Sequence, residues 1–262
     1  MIDIQTYIIV VTVDQVALPY FRILLESMYR NKIQCKQMTI ITHEGQDVLL
    51  RELIKETTNR GFTNRTIAFL PKLTTEPPIN EQRWSMIRDI LQVHRNDKFM
   101  IMDADMAFLR VENNRLDMID PHAAMTIATR YMSAYGTPDH ANDNRYLNCG
   151  TIFVHDPSRM SPFFNELSWQ YRNGSKHIHG DQAHFHRALR FIQEKERFEV
   201  QELHCRNYNC IEPQMWMEDT KILHFKSQDG RSMEDTTIGE RIGAFFASDL
   251  STNIDWMRDY IA

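Results

Sequence analysis

The chain has 262 residues, of which 42% are hydrophobic and 25% are charged, and its formal net charge at pH 7 is −5. These values are typical of a globular protein with one large α/β domain or two small ones. The acidic balance argues against a nucleic-acid-binding protein, which usually presents a basic face. We find no apolar run near the ~20 residues of a membrane span and no basic secretion signal, so we expect a cytoplasmic protein with at most peripheral membrane contact. The four cysteines lack metal-site spacing, which predicts free thiols.

The first part of the chain alternates between predicted strands and predicted helices. Apolar and β-branched runs predict four buried strands, at Tyr7–Val13, Met38–Thr42, Thr66–Leu70 and Phe99–Met102. Apolar residues at helical spacing predict three helices between these strands. One begins at Pro19, one covers Asp47–Thr58, and one has an apolar face formed by Trp84, Ile87 and Leu91. This alternation predicts an α/β fold, Rossmann-like in its first half, with a mostly parallel central sheet and helices on both faces.

The second part of the chain is less regular. Its predicted strands are Met125–Thr129 and Gly150–Val154, and its predicted helices are Pro162–Tyr171, Asp181–Ile192 and Ile238–Phe246. We find no linker rich in proline, glycine or serine between these elements. We therefore expect a single domain over residues 1–262, with a nucleotide-binding half at 1–110 and an acceptor and catalytic half at 111–262.

Two acidic residues follow directly after the last predicted strand of the first half. Asp103 and Asp105 lie at the carboxyl end of that strand, where open α/β sheets bind their ligands. Residues two apart point to the same side if the chain stays extended. Paired carboxylates suit Mg²⁺ or Mn²⁺, ions that hold phosphates. The alternative is a solvated turn that carries two acids by chance.

Two motifs of the second half place polar side chains beside predicted core elements. Asn148 and Gly150 come at the start of a strand, where they allow a ligand close to the backbone or form an ordinary bulge. Asp181 lies four residues before the apolar Phe185, so it faces inward at the start of a helix or serves only as its N-cap. Gln182 beside it offers both a donor and an acceptor.

A histidine near the end of the fold completes the candidate set. His224 follows the apolar pair Ile222–Leu223 and is either a core residue or a third metal ligand through a neutral ring nitrogen. A rival zinc site is suggested by the dense histidines at 177, 179, 184 and 186. It is less favoured because the histidines at 177 and 179 flank a glycine loop, those at 184 and 186 lie on different sides of a helix, and no tetrahedral set with cysteine is evident.

Taken in order, these motifs resemble those of nucleotide-sugar glycosyltransferases of the GT-A fold. The motifs are Asp103-Ala104-Asp105, Asn148-Cys149-Gly150, Gly180-Asp181-Gln182 and His224-Phe225. The closest likeness is to the retaining family that includes glycogenin and bacterial lipopolysaccharide galactosyltransferases, and it runs from Tyr7 to Lys226. The resemblance implies a GT-A-like fold and a sugar transfer from a nucleotide donor, usually a UDP-sugar, to a hydroxyl acceptor such as a glycan.

The resemblance also implies a role for each matching residue. Asp103, Asp105 and His224 would be the protein ligands of Mn²⁺, or of Mg²⁺. The donor would be bound with the help of a further set of residues: Thr12, Val13 and Asp14 near the base and ribose, Arg88 reaching the donor, Ala104 between the two acids, and Lys226 at the leaving phosphate. The reacting groups would be Asp181 and Gln182 beside the transferred sugar and Asn148 at the donor or acceptor.

The resemblance therefore implies a metal-dependent glycosyltransferase of the hexosyltransferase type (EC 2.4). A divalent ion stabilises the departing diphosphate, and a carboxylate such as Asp181 stabilises the positive sugar or accepts the proton of the acceptor. One alternative is a phosphohydrolase of the HAD class, in which an apolar strand also ends in Asp-x-Asp, although near the N-terminus. Another is a catalytically silent sugar-binding or nucleotide-binding module on the same fold.

Overall fold

The computed structural model describes residues 1–59, 66–74, 79–131, 145–173, 180–195, 199–211, 216–225 and 237–260. The strands are β1 (Ile2–Asp3), β2 (Tyr7–Val13), β3 (Gln37–His43), β4 (Ile67–Leu73), β5 (Lys98–Asp103), β6 (Met106–Phe108), β7 (Arg115–Leu116), β8 (Met125–Tyr131), β9 (Arg145–Val154), β10 (Val200–His204) and β11 (Ile222–His224). The helices are α1 (Leu18–Arg30), α2 (Asp47–Asn59), α3 (Ile79–Val93), α4 (Pro157–Asn173), α5 (Gly180–Lys195), α6 (Cys205–Tyr208) and α7 (Ile238–Phe246). Short 3₁₀ turns follow at Ser251–Asn253 and Asp255–Tyr260.

A seven-stranded sheet in the order β10-β8-β9-β5-β2-β3-β4 forms the centre of the fold. Its neighbours pair in parallel, except that β9 runs antiparallel to both β5 and β8. The predicted α/β architecture with a mostly parallel sheet is therefore confirmed. The sheet includes strands from both the 1–110 and the 111–262 segments.

Helices cover both faces of this sheet, which explains why its central strand β2 is apolar almost throughout. In β2, Ile9 and Val11 face the layer that contains α1 and α2, whereas Ile8 and Val10 face the layer that contains α3, α4 and α5. Strands that are buried on both faces read as continuous β-branched and apolar runs rather than as alternating ones. The helix predicted from Trp84, Ile87 and Leu91 is α3, and all three of these side chains are buried.

Two elements begin five residues earlier than the sequence predicts. Helix α4 begins at Pro157 rather than at Pro162, because the Asp156 carboxylate accepts the backbone N–H of Arg159 at 3.1 Å and caps an earlier turn. Strand β9 begins at Arg145 rather than at Gly150, because its pairing with β8 continues beyond a register shift.

A third, smaller core packs beside the carboxyl end of the sheet. Strands β6 and β11 form a two-stranded antiparallel pair in which His224 lies opposite Met106. Helix α7 covers this pair with Ile242 and Phe245. Because β6 starts directly after Asp105, the pairing carries residue 224 to the acidic motif.

A buried polar network lies near the amino end of β2. The Tyr7 hydroxyl and His155 Nδ1 are 2.6 Å apart, and His155 Nε2 lies 2.9 Å from Thr126 Oγ1. Burial, reinforced by the positive charge of Lys98, lowers the pKa of His155 to about 4. The imidazole is therefore neutral in the folded protein at physiological pH.

None of the helices in the described ranges is both long enough and apolar enough to cross a bilayer.

Candidate active site

The acidic motif lies at the carboxyl end of β5, at the middle of the sheet. Asp103 is the last residue of β5, and the chain bends at residues 104–105 before β6 begins. The Asp105 side chain is buried, and the Asp103 side chain is 20% exposed. The Phe225 backbone N–H donates to the Asp105 carbonyl at 2.8 Å, which fixes the bend against the end of β11.

Three side chains that are distant in sequence converge at this bend. His224 Nε2 lies 3.2 Å from Asp105 Oδ1 and 3.6 Å from Asp103 Oδ2. One ligand atom from each residue lies within 4.8 Å of the other two. Among the residues that the structure describes, this is the one such cluster of histidine, cysteine and acidic side chains that fits a metal ion. The convergence expected from sequence is therefore present.

The imidazole of His224 is fully buried and held from two sides. Its Nδ1 lies 2.7 Å from Asn209 Oδ1. The ring also packs directly on Gly150 of β9, where an added Cβ would lie 2.6 Å from the ring Cε1 and 2.7 Å from Nδ1. The glycine of the Asn-x-Gly motif thus makes room for this histidine.

The chemistry of the three side chains fits a divalent cation. His224 Nε2 is buried and has no hydrogen-bond partner within the described part of the chain, yet it faces two carboxylates. Two carboxylate oxygens and one imidazole nitrogen form a mixed ligand set that suits Mn²⁺. The two carboxylate oxygens are also suitable ligands for Mg²⁺.

A buried arginine, Arg83 of α3, adds a positive charge to the site. Its Nη1 lies 2.6 Å from Asp103 Oδ1, so the other carboxylate oxygen faces His224. Two carboxylates and one guanidinium leave the cluster with one net negative charge, which favours a cation.

Arg88 is the basic residue that the resemblance implies for the donor, and this role stays a prediction. Arg88 pairs with the adjacent Asp89 at 2.6 Å and lines a cavity of about 370 Å³ against α4, beside Ser158 and Phe164. Five helical residues turn the side chain by about 140°, so two arginines at this spacing face different neighbours. Arg83, on the same helix, is the arginine that contacts the acidic motif.

The three residues expected near the base and ribose have different environments at the end of β2. Thr12 pairs in register with Asp103, and its hydroxyl is buried without a hydrogen-bond partner among the described atoms. Val13 is fully buried in the core that packs against α1 and α2. The Asp14 carboxylate accepts the N–H of Ala17, the residue that precedes α1, at 2.7 Å.

The remaining candidate residues fall into two groups. Ala104 and Asn148 are buried, and the Asn148 side chain accepts the N–H of Gly150 at 3.3 Å. Asp181 and Gln182 belong to the first turn of α5, but their side chains lie outside the described set, as does all of Lys226. Of the histidines in the rival zinc proposal, those at 177 and 179 also lie outside the described residues, and the ring of His184 packs on Tyr171 at 4.5 Å.

Asn209 and Tyr20 also lie near this site, and neither is predicted from the sequence. Tyr20 of α1 is buried, and the Arg241 guanidinium lies over its ring at 5.7 Å. Burial raises the pKa of the Tyr20 phenol to about 12; the charge of Arg241 opposes this shift, and the charge of Asp105 adds to it. A neutral phenol therefore lies within the electrostatic range of the acidic motif.

Comparison with known proteins defines the fold. No protein-family model matches the sequence, and no curated protein matches it significantly. Among solved structures, the chain is similar to the glycosyltransferase GlyE of Streptococcus pneumoniae TIGR4, with a TM-score of 0.59 and 12% identity over 97% of this chain and 64% of GlyE. It is also similar to mouse xyloside xylosyltransferase 1, with a TM-score of 0.55 and 14% identity over 86% of this chain and 99% of that enzyme.

The galactosyltransferase LgtC, solved in complex with donor and acceptor sugar analogues, is a further structural neighbour. Its TM-score is 0.52 and its identity is 13%, over 97% of this chain and 99% of LgtC. The protein therefore has the GT-A fold of nucleotide-sugar glycosyltransferases. It spans about two thirds of the length of GlyE but nearly the whole length of the other two enzymes.

Proposed function

We propose that this protein is a glycosyltransferase that depends on a divalent metal ion and uses a nucleotide-diphosphate sugar, best fitted by a UDP-sugar, as its donor. The observation that carries this proposal is the convergence of Asp103, Asp105 and His224 at the carboxyl end of the central strands. Ligands of open α/β sheets bind at this edge. The glycosyltransferases that share the fold support the same class of reaction.

In this proposal Asp103, Asp105 and His224 hold Mn²⁺ or Mg²⁺. When bound, the cation supplies Lewis-acid stabilisation to the diphosphate that leaves the sugar. Arg83 holds one oxygen of Asp103 and so keeps the other directed at His224. Its guanidinium also adds positive charge near the departing group, in a buried site where such a charge acts strongly.

The donor nucleotide is assigned to the 1–110 half, where Thr12 and Asp14 follow the central strand β2. The acceptor, a glycan or another hydroxyl compound, is assigned to the 111–262 half. Asp181 and Gln182, in the first turn of α5, are proposed to line the reacting face of the sugar, with Asn148 beside them and Lys226 at the leaving phosphate. The cytoplasmic location stays a prediction of the sequence.

The positive charge that develops on the sugar ring requires a nearby carboxylate. Asp181 is proposed for this role in a retaining reaction. In an inverting reaction the same carboxylate would accept the proton of the acceptor hydroxyl as a general base.

Two competing functions make different predictions. A HAD-class phosphohydrolase is disfavoured, because the acids follow β5 rather than the first strand and the fold is GT-A. A silent binding module would bind the donor without turning it over. Measured hydrolysis or transfer of the donor sugar therefore separates an enzyme from a binding module.

A thermal-shift and calorimetric screen of UDP-sugars and GDP-sugars, with and without Mn²⁺, tests the proposal. A donor at about 100 times its Kd should stabilise the protein by about 2.7 kcal/mol, and only when the metal is present. Asp105→Asn should abolish this metal-dependent stabilisation. Asp89→Asn, which removes an exposed acid from α3, is the matched control and should retain it. Equal stabilisation with and without Mn²⁺ would refute the proposed metal dependence.

A further inference from the structure

Asn209 is fully buried between the histidine and strand β9, and it is held there by backbone contacts. Its own N–H donates to the Cys205 carbonyl at 2.8 Å, and the next residue, Cys210, bridges to β11. The N–H of His224 donates to the Cys210 carbonyl at 2.9 Å. The positions of Asn209 and His224 are therefore fixed by main-chain bonds that a side-chain substitution leaves intact.

The orientation of the Asn209 amide follows from its second partner. Its Nδ2 lies 3.2 Å from the backbone carbonyl of Asn148. A carbonyl oxygen only accepts hydrogen bonds, so the NH₂ end of the amide must face it. The amide oxygen is thus directed at His224, and its distance of 2.7 Å from Nδ1 is that of a hydrogen bond.

This orientation selects one tautomer of the imidazole. Because the amide oxygen of Asn209 also only accepts, His224 Nδ1 must carry a proton. In the neutral ring the lone pair is then on Nε2, the atom that faces Asp103 and Asp105. The other tautomer would set two lone pairs against each other at 2.7 Å and direct an N–H into the place of a cation.

We propose that Asn209 is a positioning residue that holds His224 as the Nδ1–H tautomer and so reserves Nε2 for a divalent cation. The inference rests on the proposed metal site and deepens it. A metal-bound histidine usually donates its second nitrogen to such a partner, and loss of the partner weakens metal binding by about 10–100-fold. A neutral amide performs this task without adding a third negative charge beside Asp103 and Asp105.

The first experiment reads the tautomer directly in the metal-free protein. The ¹⁵N NMR signals of the imidazole, identified by their loss in His224→Gln, should show a protonated Nδ1 and a bare Nε2 when the ring carries a single proton. Asn209→Asp should preserve this tautomer, because a carboxylate also accepts. A protonated Nε2 with a bare Nδ1 in the unaltered protein would overturn the proposal, whatever the metal does.

The second experiment measures Mn²⁺ affinity by calorimetry. Asn209→Leu should lower the affinity by about 10–100-fold, and Asn209→Asp should recover most of it, because a carboxylate oxygen still accepts from His224 Nδ1 although it cannot donate to the Asn148 carbonyl. Asn207→Leu is the matched control: Asn207 is also buried in the same segment, but its amide bonds to Asp219 at 2.9 Å, so the affinity should not change. Equal affinities for Asn209→Leu and Asn207→Leu would overturn the role of Asn209.

The two experiments separate the failure of this inference from that of the proposed function. If Mn²⁺ does not bind, or if His224→Gln binds it as well as the unaltered protein does, the metal site itself is refuted. If binding requires His224 but is insensitive to Asn209, the metal site stands and the positioning role is refuted. If Asn209→Leu fails to fold, the NMR tautomer and the affinity of Asn209→Asp still decide the question.

Discussion

Replacement of Gly150 by alanine should damage the candidate metal site without altering any of its charged groups. The new Cβ would lie 2.6 Å from His224 Cε1 and 2.6 Å from the terminal methyl of Met106, whereas ordinary contact begins at 3.4 Å. The flexible end of Met106 can move, but β9 is held on either side of Gly150, where Thr151 pairs with Met102 of β5 and Asn148 pairs with Ala128 of β8. The imidazole must therefore retreat by about 0.8 Å, which strains its bond to Asn209.

We expect Gly150→Ala to destabilise the protein by about 1–3 kcal/mol, the usual cost of overpacking a core. Its Mn²⁺ affinity should fall by about 10–100-fold, because His224 leaves the geometry that its partners set. Urea unfolding measures the first quantity and calorimetry the second. The loss of stability and the loss of Mn²⁺ affinity are measured independently, and both follow from the same displacement of the His224 imidazole.

Gly243→Ala supplies the control for this prediction. Gly243 lies inside α7, where an added Cβ would meet nothing within 4 Å among the described atoms. The substitution should stabilise the protein by about 0.5–1 kcal/mol, since glycine is a poor helix residue. If Gly150→Ala behaves like Gly243→Ala in both assays, the ring does not pack on β9 and the reasoning is wrong.

Three further predictions concern charged groups. Arg83→Met should cost about 3 kcal/mol of stability in urea unfolding because it removes a buried guanidinium from the partly buried Asp103 carboxylate, whereas Arg88→Met should cost less than about 1 kcal/mol. His155 has a pKa of about 4 in the folded protein and 6.5 when unfolded, so the unfolded state binds more protons between these values. The contribution of His155 to the free energy of unfolding should therefore be complete above pH 6.5 and fall by about 3 kcal/mol as the pH drops to 4. His155→Gln should reduce this pH dependence, and an unchanged pH slope in that variant would contradict the prediction. Asp181→Asn should reduce donor hydrolysis far more than UDP affinity, and equal losses in both would indicate that the residue is only a helix cap.

Much of the fold is predictable because its signals are local. The central strands are buried on both faces, so the run Tyr7–Val13 stands out as continuous β-branched sequence. Helix α3 is evident because Trp84 and Ile87 recur at helical spacing. The pair β6–β11 is not predictable in this way, because strands of three residues are too short to show a period.

The candidate site is predictable only in part, for a related reason. Asp103 and Asp105 are adjacent to a strong strand signal, which fixes their place at the sheet edge. Arg83 and Arg88 belong to one helix, and only the packing of α3 on the sheet decides which of them reaches Asp103. Asn209 acts through contacts to residues far away in sequence, and a single asparagine after a four-residue helix carries no local pattern.

The short β6–β11 pair has a consequence for how the protein is made. A nascent chain that has emerged as far as β9 already holds both carboxylates but lacks the imidazole, which arrives only with β11. In the proposed enzyme such an unfinished chain has no complete coordination sphere. The complete metal site would then form only after residue 224 has been synthesised. The bound ion would link β11, a late segment of the polypeptide, to the end of β5, an early one.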